Sequence, residues 1–323
     1  MTFSLDTHWV WDFWLADDGE TFHLYYLHAP KSLGNQELRH RNARIGHATS
    51  LDLSSWTDLG PVLGPGEAGS FDETATWTGS VVRGDDGIWR MFYTGARFLN
   101  AESRVNVESI GVATSADLHT WTKLQRALIV ADPEWYETLG ASDWREEAWR
   151  DPWVFADPTG DGWHMLITAR ANQGDARDRG VIAHATSRNL EEWQVQPPLT
   201  QPGAGFTHLE VPQTLTIDGR HLLLFSCDTP ALAGRRDGEQ DGGIWALELN
   251  SLTEPYHPTD ATLLAGEELY SGRMIQARDG GWKMLAFENR AEGASFVGVL
   301  NDPIPVVWHT DAPIPTLLKA SDT

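Results

Sequence analysis

Residues 147–170 read EAWRDPWVFADPTGDGWHMLITAR. An apolar strand opens on Arg150-Asp151-Pro152, a Gly/Asp turn follows, and a second apolar strand completes a hairpin. A carboxylate at the start of a buried strand is costly unless partners offset its desolvation. Asp151 therefore marks either a site or a turn cap, and the recurrence of the surrounding pattern bears on which.

The hairpin layout occurs four more times, as WVWDFWLADDGETFHLYYLHA (9–29), TWTGSVVRGDDGIWRMFYTGA (76–96), LEVPQTLTIDGRHLLLFSCD (209–228) and LYSGRMIQARDGGWKMLAFE (269–288). Three of the five hairpins are followed by A-T-S-x-[Asp/Asn]-L-x-x-W, in GHATSLDLSSW (46–56), GVATSADLHTW (111–121) and AHATSRNLEEW (183–193). The segments GGIWALELNSL (242–252) and SFVGVLNDPIPVVW (295–308) hold the same place in the last two units without that signature. Each unit thus reads as four short strands over roughly sixty residues, with turns rich in Gly, Asp and Pro. Five such units predict an all-β fold: a five-bladed β-propeller with four-stranded antiparallel blades around a central funnel. No linker interrupts the pattern, so residues 1–323 are expected to form one domain. The segments MTFSLDT and DAPIPTLLKASDT are expected to be tails or closure strands, and PEWYETLGASDWREEAW (133–149) a loop with a short helix.

Composition narrows the partners. The formal net charge of −22 argues against nucleic acid and anionic membrane surfaces, both of which recruit Lys and Arg. The 16 Trp, 11 Phe and 6 Tyr suit strands and sugar-binding surfaces alike. Cys227, the one cysteine, reads as a small buried apolar residue, so no disulfide or Cys-based metal cluster is expected. The start of the chain has no basic region followed by a long apolar run, and no 18-residue apolar stretch occurs, so a cytoplasmic location is expected unless a leader has been removed. DPTGDG (157–162) lacks the acid spacing of an EF-hand and reads as a hairpin turn. His47 and His184 recur with the A-T-S repeat, which favours strand packing or a turn role over metal binding, and DWREEAW (143–149) reads as a solvated acidic loop, with the rim of the substrate pocket as its alternative place.

Counting back from the hairpin glycines aligns the strand starts. Asp12 lies seven residues before Gly19, while Thr78, Asp151, Glu210 and Ser271 lie nine before Gly87, Gly160, Gly219 and Gly280. Inner strands of a propeller line its channel, so these positions are expected at one mouth, three of them acidic. Converging acids raise one another's pKa, which separates a proton donor from a charged carboxylate as glycosidic cleavage requires.

WVWDFW, WTGS, RDPWVF and LEVP resemble the sequence blocks of the five-bladed propeller glycosidases acting on fructofuranosides, glycoside hydrolase families 32 and 68, with family 43 more distant. The resemblance spans about residues 8 to 308. It implies that Asp12 is the nucleophile, Asp151 the transition-state stabiliser and Glu210 the acid/base, with Trp11, Trp77, Thr78 and Arg150 holding the furanose. It further implies a small carbohydrate as substrate and no metal or other cofactor. Leu27 stands where family 32 usually has Gln, Val211 replaces the usual Cys or Arg after the acid, and the appended β-sandwich is not found. The expected activity is retaining hydrolysis of β-fructofuranosides with fructosyl transfer as a companion reaction. Two alternatives stay open: an inverting furanosidase of the arabinan-cleaving kind, separable by carboxyl spacing of about 6.5–9.5 Å rather than about 5–5.5 Å, and a non-catalytic glycan-binding propeller.

Overall fold

The computed structural model describes residues 3–100, 104–238, 241–290 and 296–318. The described sheets are five, met in chain order, and their first strands are His8–Asp17, Ala75–Arg83, Trp149–Ala156, Glu210–Ile217 and Leu269–Gln276. Each first strand touches the next around a closed ring, and the fifth touches the first. The expected propeller is therefore present, and blades 1 to 5 are numbered by these strands. Blade 5 departs from the plain pattern: its second strand, Trp282–Arg290, pairs with two short segments, Phe296–Leu300 and Ile304–Val307.

Both expected tails are used where they are described. Phe3 exchanges backbone hydrogen bonds with Leu300 at 3.1 and 2.9 Å, which ties the first blade's lead-in to the last blade. Thr316–Leu317 forms the outer strand of blade 5. Met1, Thr2 and residues 319–323 of those tails lie outside the described residues, as does Ser295 of the fifth repeat. The helix expected within 133–149 is not formed. That segment turns back on itself and adds Glu146–Glu147 as a short parallel strand beside Asn106 and Val107.

The core is five clusters, one in each gap between neighbouring blades. Trp14, Tyr25, Met91 and Tyr93 fill the first gap; Phe92, Ile110, Met165 and Ile167 the second; Leu166, Ile182, Phe225 and Trp245 the third. Leu224, Ile244, Met274 and Met284 fill the fourth, and Phe13, Tyr26, Leu285 and Leu300 the fifth. Alternation along each strand sends side chains to both gaps that it borders, which is why these strands are apolar on both faces.

The A-T-S signature has a local mechanism. Ser115 Oγ accepts from Leu118 N at 2.9 Å, and the Asp117 carboxylate accepts from His119 N and Thr120 N. This turn forces Leu118 to φ 64°, and its counterparts Leu53 and Leu190 to 65° and 64°. A left-handed leucine is strained, and burial offsets the strain, since all three are at most 2% exposed. The Leu118 carbonyl then accepts from Trp121 Nε1 in its own blade and from Tyr25 OH of blade 1 at 2.6 Å. His47 and His184 stack on His23 and His164 of the adjacent second strands, the packing role expected for them. Replacing Leu118 by Ala should destabilise the fold by about 2–5 kcal/mol in denaturant titration, whereas Leu51→Ala, at a site 71% exposed, should change it by no more than about 0.5 kcal/mol.

Candidate active site

All five inner strands carry a β-bulge near their start, at Asp12, Thr78, Asp151-Pro152, Val211-Pro212 and Ser271-Gly272. A bulge turns two successive residues towards one side, where a regular strand would send them to opposite faces. The mouth consequently receives two rings of side chains. The residues before the bulges are Trp11, Trp77, Arg150, Glu210 and Tyr270, and the bulge residues are Asp12, Thr78, Asp151, Val211 and Ser271. Asp151, Val211 and Ser271 adopt φ of 59°, 51° and 52°. Gly79 follows Thr78 because a Cβ there would stand 2.1 Å from the Phe92 carbonyl oxygen.

This register corrects the spacing argument for Glu210. Blade 4 closes its hairpin with a two-residue turn between Ile217 and Arg220, one residue shorter from bulge to glycine than blades 3 and 5. Counting back nine residues therefore lands one short, and the true counterpart of Asp12 and Asp151 is Val211. Only two of the five equivalent positions are acidic. Glu210 reaches the same mouth from the other ring.

The side chains converge on a cavity of about 800 Å³ lined by Trp11, Asp12, Trp77, Thr78, Arg150, Asp151 and Glu210. Asp12 Oδ2 accepts from Thr78 Oγ1 at 3.0 Å, and Oδ1 accepts from Ser271 Oγ. The residue beside Ser271, Tyr270, donates its hydroxyl to Glu210 Oε2 at 2.6 Å. Two consecutive residues of blade 5 thus hold two carboxylates. Asp151 Oδ2 accepts from Thr168 Oγ1 at 3.0 Å and Val211 N at 3.1 Å, while Thr94 Oγ1 accepts the Asp151 N–H at 2.9 Å.

Arg150 joins these groups. Its Nη2 donates to Glu210 Oε1 at 2.6 Å, its Nη1 lies 3.1 Å from Glu108 Oε2 and 3.5 Å from Glu146 Oε1, and its Nε is 3.8 Å from Asp151 Oδ2. Glu146 also meets His208 Nε2 at 2.9 Å. The sequence reading missed Glu108 and did not single out Glu146; of the two places open to DWREEAW the solvated one is corrected, since its Glu146 lines the pocket. Both residues sit outside the inner-strand repeat, so no spacing marks them. Tyr270 was within reach, because the doublets Trp-Asp, Trp-Thr, Arg-Asp, Glu-Val and Tyr-Ser align in register.

Burial raises the Asp12 carboxyl, against the pull of Ser271 and Thr78, and Glu210 raises it further. Burial pushes Asp151 up to about 7, with Arg150 opposing and Asp12 and Glu210 adding to the rise. Burial would raise Glu210 too, but Arg150, His208 and Tyr270 outweigh it and hold this carboxyl below its ordinary value. The expected separation of pKa values is present, with the proton favoured on Asp151 rather than on Glu210. Among the described residues no group of three or more His, Cys, Asp or Glu side chains is arranged to hold a metal ion.

Fold and site together define a five-bladed propeller of the glycosidase type. The chain belongs to glycosyl hydrolases family 32: residues 14–295 match the family's N-terminal domain. That match begins two residues after Asp12, so the placement of Asp12 rests on its strand. Levansucrase Lscbeta of Pseudomonas syringae pv. actinidiae is 25% identical over 257 residues, covering 70% of this chain and 57% of the relative. The insoluble isoenzyme 3 β-fructofuranosidase of Oryza sativa subsp. indica is 27% identical over 180 residues, covering 53% of this chain and 26% of the relative. The chain therefore spans little more than half the length of the levansucrase. In fold it is similar to the inulosucrase of Halalkalicoccus jeotgali bound to kestose, with TM-score 0.77, 22% identity, and coverage of 97% of this chain and 87% of that one.

The raised Asp151 pKa has a measurable consequence. Unfolded Asp titrates near 3.8, so between that pH and about 7 the folded state binds more protons and loses stability as pH rises. Asp151→Asn should melt at a higher temperature than the unmutated chain at pH 8, by a free energy on the order of a few kcal/mol at most, and the gap should close below about pH 4. Calorimetric melting across that range measures it.

Proposed function

We propose that the chain is a retaining glycoside hydrolase acting on β-fructofuranosides, sucrose or fructo-oligosaccharides, with fructosyl transfer to a sugar acceptor as a companion reaction. The observation that carries this reading is the blade-5 doublet, in which Ser271 holds Asp12 and Tyr270 holds Glu210 at one mouth beside Asp151. The names of the levansucrase and β-fructofuranosidase relatives support the substrate class, and the bound kestose of the inulosucrase supports a carbohydrate ligand. A non-catalytic glycan-binding propeller gives no account of three carboxylates gathered at one mouth, where each raises the cost of ionising the others.

Asp12 attacks the anomeric carbon, forming an ester with the fructosyl unit, while Glu210 gives its proton to the leaving oxygen. Glu210 then takes a proton from water or from an acceptor hydroxyl, whose oxygen displaces Asp12. Trp11 and Trp77 flank the furanose. Asp151 accepts hydrogen bonds from furanose hydroxyls that strengthen as positive charge develops on the ring. Those same bonds lower Asp151's pKa on binding, and an ionised Asp151 raises that of Glu210 by repulsion. Substrate binding thus moves the proton onto the acid that uses it.

This proton shift predicts two different pH profiles, since kcat/KM reports free protein and kcat the complex. The basic limb of kcat should lie at higher pH than that of kcat/KM; coincident limbs would contradict the shift. Asp12→Asn should lower turnover of sucrose by several orders of magnitude with folding intact. Glu210→Gln should retain the first step on a fructoside with an acidic leaving group, and added azide should restore turnover and give a β-linked azide. If sucrose, inulin- and levan-type oligosaccharides and activated fructosides all go uncleaved at high protein concentration, the function is wrong. Proton NMR of the first-formed anomer tests retention, and initial release of the inverted sugar would assign the reaction to the inverting class.

A further inference from the structure

One wall of the pocket comes from an element outside the repeat. Between the second and third strands of blade 1 the chain forms two 3-10 turns, Lys31–Leu33 and Gln36–Asn42, the second capped by the Asn35 side chain, which accepts from Glu37 N at 3.0 Å. This element brings Arg39 into the pocket lining beside Trp11 and Asp12. The Arg39 guanidinium carbon lies 4.1 Å from the centre of the Phe296 ring and 5.8 Å from that of Trp11. Its Nη1 donates to the Gln36 carbonyl at 3.1 Å and stands 3.6 Å from Glu37 Oε1. Its Nε is buried without a protein acceptor among the described residues.

Holding the fold together does not account for this placement. The 31–42 element is already fastened to blade 5 by Gln36 Oε1, which accepts from Phe296 N at 3.2 Å, and to blade 2 by Trp77 Nε1, which donates to the His40 carbonyl at 2.7 Å. An ion pair with Glu37 needs no burial, because exposed pairs of that kind form in water at little cost. Instead the side chain is 12% exposed, and burial pulls its pKa down, with Glu37, Asp12 and Asp228 opposing. A planar guanidinium fixed between aromatic rings keeps its N–H fork in one orientation, suited to paired oxygens.

We propose that Arg39 is a substrate-contacting, specificity-determining residue, donating hydrogen bonds to oxygens of the sugar held against Trp11 and Asp12. The proposal rests on the fructofuranosidase reading and adds a subsite residue that none of the five repeated strands supplies. Arg39 selects among fructosides by the oxygens they present to this fork. An unpaired charged donor left by a poorly matched sugar costs affinity, because its desolvation is then not offset.

The test uses the full chain with Arg39→Lys and Arg39→Met, each first checked for an unchanged melting temperature. Steady-state kinetics on sucrose and on kestose should show kcat/KM reduced at least about tenfold in both variants, mainly through KM, with the sucrose-to-kestose ratio altered. Lysine should not rescue, because it lacks the planar fork. Calorimetric titration of both sugars into Asp12→Asn and into Asp12→Asn combined with Arg39→Met should show the same weakening without turnover. Unmutated activity with unchanged KM and sugar affinity in the Arg39 variants would overturn the proposal alone. Full rescue by lysine would also overturn it, reducing Arg39 to a charge near Asp12. An unmutated chain that neither cleaves nor binds these sugars would overturn the fructofuranosidase reading and this proposal together.

Discussion

The site depends on one buried cation shared among too many acids. Arg150 meets Glu108, Glu146, Asp151 and Glu210, at 3.1, 3.5, 3.8 and 2.6 Å. Arg150 by itself does not offset four ionised carboxyls in an environment that solvates them poorly, and burial pushes Asp151 up to about 7 and Glu108 up to about 8. Without Arg150 the acids would repel one another unless they took up further protons. With it, they are drawn together yet left incompletely neutralised. That is the condition under which a small change in hydrogen bonding can move a proton from one carboxyl to the next.

The bulges are what make this crowding possible. On a regular strand Arg150 and Asp151 would face opposite sides, and one of them would enter an apolar gap between blades. The bulge sends both to the mouth, and its backbone is in turn held by hydroxyls of the neighbouring blade: Thr94 Oγ1 accepts from Asp151 N, and Ser226 Oγ accepts from Ser271 N. Blade 2 thus positions the strand start of blade 3, and blade 4 that of blade 5. The apolar gaps fix the blades against one another, and that rigidity passes to the carboxylates through these short hydroxyl links.

Much of this was legible in the sequence because the repeat encodes local backbone geometry. The A-T-S signature specifies a turn with a left-handed leucine, and the doublets beginning Trp11-Asp12, Trp77-Thr78 and Arg150-Asp151 specify a bulge. These features persist wherever the local residues persist. Glu210 was assigned to the mouth through a count that slips by one residue, because hairpin length varies between blades while the bulge does not. Glu108, Glu146 and Arg39 were not legible. Glu108 belongs to the third strand of blade 2, where inner-strand periodicity gives no warning. Glu146 and Arg39 sit on connections whose course is set by what they meet across a blade boundary. Residues whose role arises only from contacts distant in sequence leave no pattern along the chain.

Ser271 and Asp12 are separated by 259 residues, yet they share one hydrogen bond. Translation at about 5–20 residues per second would place their emergence on the order of tens of seconds apart. During that interval Asp12 has only Thr78 of its two hydroxyl partners, and Glu210, once made, still waits for Tyr270. A nascent or prematurely ended chain lacking blade 5 can complete several blades without assembling the carboxylate geometry. Circular closure thus couples chemical competence to completion of synthesis, so that the last fifth of the polypeptide acts as a checkpoint on the first.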